Sequence, residues 1–418
     1  MAIRRLLIAV TFSLSMLLYV DRIAISTAKA PITAEFAMSD TAFGWILSAF
    51  ALGYALFQTP AGMFADRYGP RVVIAAIVSL WSLFTALTGL TWSLISLLLS
   101  RFLFGAAEAG AYPGIARAFY AWLPVGERGL AQGINFSGSR LGAAFALPAI
   151  AWLITRFGWR TSFFILGGAG LLWASAWLIW FRNTPEEHSS VSAAERKIIM
   201  NGRASASNPP NKQGPRIRFA DISRSPSVWI AMGQYFASNF TFFFCLTWLF
   251  PYLQRTYNLQ AVQAGFMASA PLLAGAVGNW TGGWIVDTIY RAEKWRLSRQ
   301  LPGILGFLLA ASGLLASLRF HDPVLAVLCL SIAVFGADMT LPPSWAFCID
   351  IGRGNAGAVS GTMNMAGNLG SFVTSLAFPY LLALTGSTAP FFIAGAFLNL
   401  IGAWLWSRAD PAKAIVPH

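Results

Sequence analysis

The sequence is short of charge. Asp, Glu, Lys and Arg make up 11% of its 418 residues, against about 25% in an ordinary soluble domain. Hydrophobic residues reach 56%, and mean hydropathy is +0.61. A soluble domain of this length is excluded. Acids are scarcest, 16 against 29 Lys+Arg, for a formal charge of +13. Histidine is nearly absent. His188, His321 and His418 all lie outside the apolar runs, so a proton carrier within them must be a carboxylate. Cys245, Cys329 and Cys348 sit in or beside apolar runs and read as packed thiols rather than a disulfide framework. No nucleophile–base set, metal-ligand cluster or phosphate loop stands out, which argues against an enzyme.

Twelve apolar segments are present, at roughly 6–28, 41–65, 71–91, 93–121, 128–154, 159–181, 227–252, 263–287, 299–319, 323–347, 356–383 and 388–407. They predict an all-α membrane protein of twelve transmembrane helices. The N-terminal MAIRRLLIAV superficially resembles a signal peptide. The apolar run is long, and no small-residue cleavage pattern precedes Asp21-Arg22, so it reads as a retained first span. The one long polar stretch, 182–226, carries eight Lys+Arg and separates six-helix halves at 1–181 and 227–418. Within it, Ser192-Ala-Ala-Glu195 fits a capping box, so a short surface helix is expected there.

Placement of the cations sets an expected orientation. Alternate loops on one side hold only Lys29, Arg156, Arg160, Arg255 and Arg319, and Arg22, Arg101 and Arg140 fall inside segments. The remaining 21 of 29 lie on the side of the termini. The positive-inside rule then makes both termini cytoplasmic, in a cell inner membrane, with the basic loops set against anionic lipid. No nucleic-acid partner is needed to explain the charge.

The halves repeat. At an offset of 228 residues, Gly133, Leu141 and Gly142 match Gly361, Leu369 and Gly370, and Phe163-Phe164-Ile165 with Gly167 matches Phe391-Phe392-Ile393 with Gly395. Gly62-x-x-x-Asp66 is echoed by Gly283-x-x-x-Asp287. This is a parallel repeat about an axis along the membrane normal.

The stretch 93–122 puts Arg101 and Glu108 at membrane depth, where a charge costs roughly 2.5–3.5 kcal/mol. Seven residues apart, they share a helix face about 10 Å apart, too far to pair directly. Tyr112 extends the stripe, Gly105, Gly110 and Gly114 flank it, and Pro113 is an expected kink. This reads as a cavity-lining helix that presents a cation and a titratable acid. A structural ion pair in a helix bundle is the plainer alternative.

Asp66-Arg67-Tyr68-Gly69-Pro70-Arg71 after Gly62 resembles the loop signature of the major facilitator superfamily. Its acid and arginines, Asp66, Arg67 and Arg71, make a gating clasp that one conformation keeps and another breaks, with Arg117 or Arg128 as the expected partner of Asp66. More closely, the chain resembles the anion:cation symporter family, which includes sugar-acid transporters and relatives of vesicular glutamate and sialic acid carriers. The resemblance rests on Tyr19-Val20-Asp21-Arg22, on Ser48-Ala49-Phe50 through Tyr54 to Pro60-Ala61-Gly62, and on Arg101-Phe102 through Glu108 to Pro113-Gly114. It extends to Trp248-Leu249-Phe250-Pro251-Tyr252-Leu253, to Ala270-Pro271-Leu272-Leu273 with Gly282-Gly283, and to Asn364 with Gly367-Asn368.

The resemblance implies that Arg22 and Arg101 bind a substrate carboxylate, that Asp21 and Glu108 carry protons, and that Tyr19 and Tyr54 line the site. Ser344, Trp345, Asn364 and Asn368 would be polar contacts. Family members often use a polar residue on the fifth helix, where this chain has Ser139-Arg140. Asp338 lies outside the family pattern. Arg140 and Asp338 pair across the halves as a gate, or each serves the substrate.

The chemistry of the residues agrees with this reading. An arginine fork makes two parallel hydrogen bonds to a carboxylate. Asp21 and Arg22 point about 100° apart on a helix, so they pair poorly. An anion that draws off the cations near Asp21 favours its protonation, which couples the two ligands. The expected function is proton-coupled import of an organic anion, such as a sugar acid or related carboxylate, by a monomer with no cofactor besides the proton. An anion exchanger of the same fold and a non-transporting membrane anion sensor are the alternatives.

Overall fold

In hydrocarbon no backbone N–H or C=O can go unpaired, so long apolar runs close on themselves as helices. A computed structural model describes residues 2–38, 40–204, 219–259 and 261–415. Its α-helices are α1 (Ile3–Thr27), α2 (Lys29–Glu35), α3 (Asp40–Tyr68), α4 (Pro70–Thr88), α5 (Leu94–Glu108), α6 (Ala111–Trp122), α7 (Arg128–Trp180), α8 (Ala193–Ala204) and α9 (Phe219–Arg224). They continue as α10 (Pro226–Thr247), α11 (Leu249–Tyr257), α12 (Ala261–Arg291), α13 (Trp295–Ser317), α14 (Pro323–Met339), α15 (Leu341–Gly352), α16 (Ala356–Thr385) and α17 (Ala389–Ser407). All twelve expected segments are helical. The fifth and sixth run together as α7, which turns at Gly158, where φ is 78°. That backbone conformation favours glycine. Eight helical stretches are long and apolar enough to cross a membrane on their own account. Large exposed side chains along them include Trp45, Leu52, Leu99, Leu172, Ile179 and Leu384, an apolar exterior suited to lipid.

Four spans are interrupted, and the cause is local. The breaks fall at Ala28, at Ala109–Gly110, at Trp248 and at Thr340. Pro31, Pro113, Pro251 and Pro343 follow them in the sequence. A proline has no N–H for the carbonyl four residues earlier, and its ring crowds that carbonyl. Each break therefore opens at the three or four residues before a proline. The expected kink of the fourth span is at this distance from Pro113. These are the first, fourth, seventh and tenth spans, one in every three. Glu108 is the last residue of α5, and Asp338 is next to last in α14, so both acids sit at interruptions.

The chain divides into two compact units. One comprises Met1–Pro124, Leu141–Gly214 and Gly352–Met365; the other comprises Val125–Arg140, Pro215–Ile351 and Ala366–His418. The repeated glycines mark close helix crossings in each. In the first unit a Cβ at Gly361 would lie 2.6 Å from Gln58 O, and one at Gly142 would lie 2.7 Å from Met16 O. In the second unit the matching glycines do the same work. A Cβ at Gly370 would lie 2.5 Å from Phe236 O, and Gly133 abuts the carbonyl of Asn279. The sequence repeat is a repeat of contacts.

The expected surface helix exists as α8, and Ser192 Oγ accepts from Glu195 N at 3.1 Å. The other half of the capping box is used elsewhere. The Glu195 carboxylate accepts from the backbone of Ile3 at 3.1 Å and Arg4 at 2.9 Å, which caps α1. Residues 205–218 of the polar stretch, and His418, lie outside the described residues.

Candidate functional site

A buried arginine, a half-buried one and two buried acids meet in the first unit. Asp21 and Arg22 come from α1, and Arg101 and Glu108 from α5. Glu108 sits seven residues from Arg101 but takes its partner from the other helix. Arg22 Nε donates to Glu108 Oε1 at 3.0 Å and to Oε2 at 3.1 Å. The Arg22 guanidinium lies over aromatic rings, with Cζ 4.4 Å from the centroid of Tyr54, 5.0 Å from Tyr19 and 5.1 Å from Phe50. Arg101 Cζ is 4.2 Å from the Phe104 centroid and 5.3 Å from that of Phe50, so one ring serves both cations. Each arginine keeps a buried nitrogen without a hydrogen-bond partner, Nη2 of Arg22 and Nε of Arg101. Tyr112 is buried one turn beyond the break, on α6.

Cation–π contacts leave part of each guanidinium edge uncommitted, and an edge is what a carboxylate binds. The four charges sum to zero, which suits a site buried in hydrocarbon. Close packing of α3 on α5 holds the arrangement. Gly105 has no room for a side chain beside the carbonyl of Phe50, nor Gly53 beside that of Phe102.

Of the residues expected in the clasp, Asp66 bonds to the start of another helix. Asp66 Oδ1 accepts from Gly357 N at 3.0 Å, and Oδ2 from Ala358 N at 2.8 Å, at the start of α16. Arg117 Nε is 3.8 Å from Asp66 Oδ1. Two arginines of the expected clasp are elsewhere. Arg71 donates to the carbonyl of Leu178 at 2.9 and 3.0 Å, and Arg67 is exposed over the Tyr68 ring. Arg128 is a correction too. Its Nη1 donates to Asp350 Oδ1 at 2.9 Å, while Arg299 Nε donates to Asp350 Oδ2 at 2.9 Å. The sequence reading missed this buried triad because Arg128, Arg299 and Asp350 each lie near the end of an apolar segment. Only packing decides whether such an end is wet.

In the second unit Asp287 repeats the role of Asp66. It accepts from Gly129 N and Leu130 N, both at 2.9 Å, at the start of α7. Gly357 and Ala358 are displaced from Gly129 and Leu130 by the same 228 residues as the sequence repeat.

Arg140 and Asp338 do pair, in the bidentate geometry. Nε to Oδ2 is 2.9 Å and Nη2 to Oδ1 is 2.7 Å. The guanidinium lies 3.7 Å from the Phe242 centroid, and Ser139 Oγ is 3.3 Å from Arg140 Nη1. Other expected contact residues have protein partners. Ser344 Oγ donates to Thr340 O at 2.6 Å and to Gln234 Oε1 at 3.1 Å. Trp345 Nε1 donates to Tyr235 Oη at 2.9 Å, with its ring 5.2 Å from that of Phe136. Asn364 is buried and Asn368 half-buried, one turn apart on α16.

Comparison with known proteins agrees with this architecture. The Major Facilitator Superfamily profile matches residues 11–375. The chain is 33% identical to a probable sulfoacetate transporter of Cupriavidus necator, over 95% of this chain and 92% of the relative. It is 32% identical to a probable galactarate/D-glucarate transporter of Escherichia coli K12, over 91% and 88%. It is 31% identical to a D-galactonate transporter of Escherichia coli O6:H1, over 96% and 94%. Among solved structures, a proton:xylose symporter aligns with a TM-score of 0.76 at 15% identity, covering 98% of this chain and 97% of its own, which is a likeness of fold. The twelve-span helical architecture and the match along most of its length place this chain in the major facilitator superfamily, a family of membrane transporters rather than enzymes.

Proposed function

We propose that this chain imports a small organic anion, a sugar acid or a related carboxylate, together with protons, by alternating access. The observation that carries the reading is the Arg22–Glu108 pair, with uncommitted nitrogens on Arg22 and Arg101 and a second acid, Asp21, beside them. The relatives named for sulfoacetate, galactarate/D-glucarate and D-galactonate support an anionic substrate.

Charge balance gives the coupling. In the empty carrier Arg22 and Arg101 offset Asp21 and Glu108. A bound monoanion adds one negative charge, and one proton on either acid restores neutrality. Crossing a low-dielectric constriction favours the neutral load. The substrate carboxylate competes with Glu108 for Arg22, so anion binding and protonation of Glu108 promote each other. The lysine and arginine bias supports cytoplasmic termini and an inner-membrane location. The carrier works as a monomer.

The test is uptake by proteoliposomes of labelled sugar acids and aromatic acids, with and without an inward proton gradient. Accumulation that follows the gradient, with alkalinisation of the medium, is expected. Gradient-independent uptake that needs a counter-anion inside would replace symport by exchange. Binding without movement of any substrate would make the chain a sensor.

A further inference from the structure

Buried polar atoms without a hydrogen-bond partner gather at one place in the first unit, between α1, α4 and the second half of α7. They are both carboxylate oxygens of Asp21, the indole N–H of Trp81, and the hydroxyls of Ser82 and Thr85. None of these residues is more than 1% exposed. Trp81 Nε1 neighbours the Asp21 carboxylate, and no hydrogen bond closes between them. Gly170 on α7 lets Ser82 of α4 approach closely. A Cβ there would collide with Ser82 Oγ and lie 3.8 Å from Trp81 Nε1. One indole donor, two hydroxyls and a carboxylate are a complementary set for water, which bridges buried groups with two to four polar partners.

The polar face continues along α4. Trp81, Thr85 and Thr88 follow the i, i+4, i+7 spacing of a single helix stripe. Thr88 Oγ1 is 3.0 Å from Ser100 Oγ on α5. Thr91 Oγ1 donates to Thr88 O at 2.8 Å, and the next residue, Trp92, is 78% exposed. Polar side chains thus line α4 from Trp81 to the α4–α5 turn. The charged groups acting on Asp21 are Glu108 and Arg101, both from α5. Arg22, its neighbour on α1, is committed to Glu108. The only charged residue of α4 is Arg71, at its far end.

We propose that this stripe is a hydrated proton-access route, in which water held by Trp81, Ser82 and Thr85 joins Asp21 to the α4–α5 turn, separately from the arginines that bind the anion. It rests on the proton-coupled reading above. Asp21 and Arg22 leave α1 about 100° apart, so one helix serves two paths. A hydronium at the turn gives up its proton. Each hydroxyl or water oxygen along the stripe accepts one proton and passes one on. Asp21 ends as the neutral acid, and nothing is oxidised or reduced.

The experiment compares Thr85→Val, which keeps the side-chain shape, and Ser100→Ala, at the other end of the stripe, with wild-type protein in proteoliposomes. Thr281→Val, a half-buried threonine bonded to its own helix, is the control. Substrate-coupled proton entry and gradient-driven accumulation are expected to fall at least tenfold in both stripe variants. Counterflow of labelled for unlabelled substrate should stay within twofold. Unchanged proton entry in either folded variant overturns the route. A parallel loss of counterflow overturns it too, because a packing role does the same. If wild-type protein takes up no protons with substrate, the coupled reading itself fails and the route with it.

Discussion

At the scale of the residue, the uncommitted edges of two guanidiniums decide what this site can hold. Arg101 has ring faces beneath it and one nitrogen without a partner. Lysine at this position keeps the charge but loses the planar fork. Arg101→Lys should therefore weaken substrate binding by about 1.5–3 kcal/mol, tenfold or more, in a protein that still folds. Near-normal affinity in a binding assay would rule out a carboxylate clamp. Glu108→Gln mimics the protonated acid and still accepts a hydrogen bond from Arg22. It should abolish gradient-driven accumulation and keep counterflow, because exchange needs only the loaded form to cross. Continued concentration of substrate by this variant would move the coupling site to Asp21 or Asp338. Arg140 and Asp338 form a bidentate pair in the second unit. Removal of one partner strands the other charge in a buried setting, so Arg140→Met or Asp338→Leu alone should cost about 3–5 kcal/mol, and the double substitution should restore most of that. Thermal unfolding of the three variants in detergent checks this, and additive losses would show that the two side chains act independently.

At the scale of the element, one device occurs twice. A carboxylate one turn past a close glycine crossing captures two N–H groups at the start of another helix: Asp66 at α16 and Asp287 at α7. A helix start has free N–H groups and a positive dipole end, so an acid there is doubly favoured. Hydrogen bonds to a charged group are worth about 1.5–3 kcal/mol. That is enough to bias a conformational equilibrium and too little to lock it. Thr59 and Thr362, whose hydroxyls are 3.2 Å apart, report on the α3–α16 contact. A Thr59→Cys/Thr362→Cys pair should cross-link quickly in the parent protein and several-fold more slowly once Asp66→Asn is added. Equal rates would mean that the carboxylate holds nothing. The proline-spaced breaks belong to this scale as well. Pro31, Pro113, Pro251 and Pro343 were visible in the sequence, but three further prolines, Pro60, Pro271 and Pro302, lie inside unbroken helices. Proline marks where a helix can open. The neighbours that accept the freed carbonyl determine whether it does.

At the scale of the whole molecule, the placement of lysine and arginine makes a topological prediction. A single cysteine introduced in the polar stretch 182–226 should react with an impermeant reagent only from the cytoplasmic side. Labelling in intact cells would invert the orientation. The sequence by itself determined the twelve helical segments, the parallel repeat and the charged residues at membrane depth. Each of these follows from properties that act along the chain: hydrophobic length, glycine spacing, and the cost of an ion in hydrocarbon. The partners were decided by tertiary structure alone. Glu108 lies two turns from Arg101 yet bonds to Arg22, 86 residues away. Arg128 was an expected partner of Asp66 and is instead held with Arg299 by Asp350. Half of the Ser192–Glu195 capping box closes on α1 rather than on its own helix. An ion or a carboxylate of given depth has several possible partners within reach of its side chain. Helix rotation and crossing geometry select one of them, and those are set by packing between segments distant in sequence.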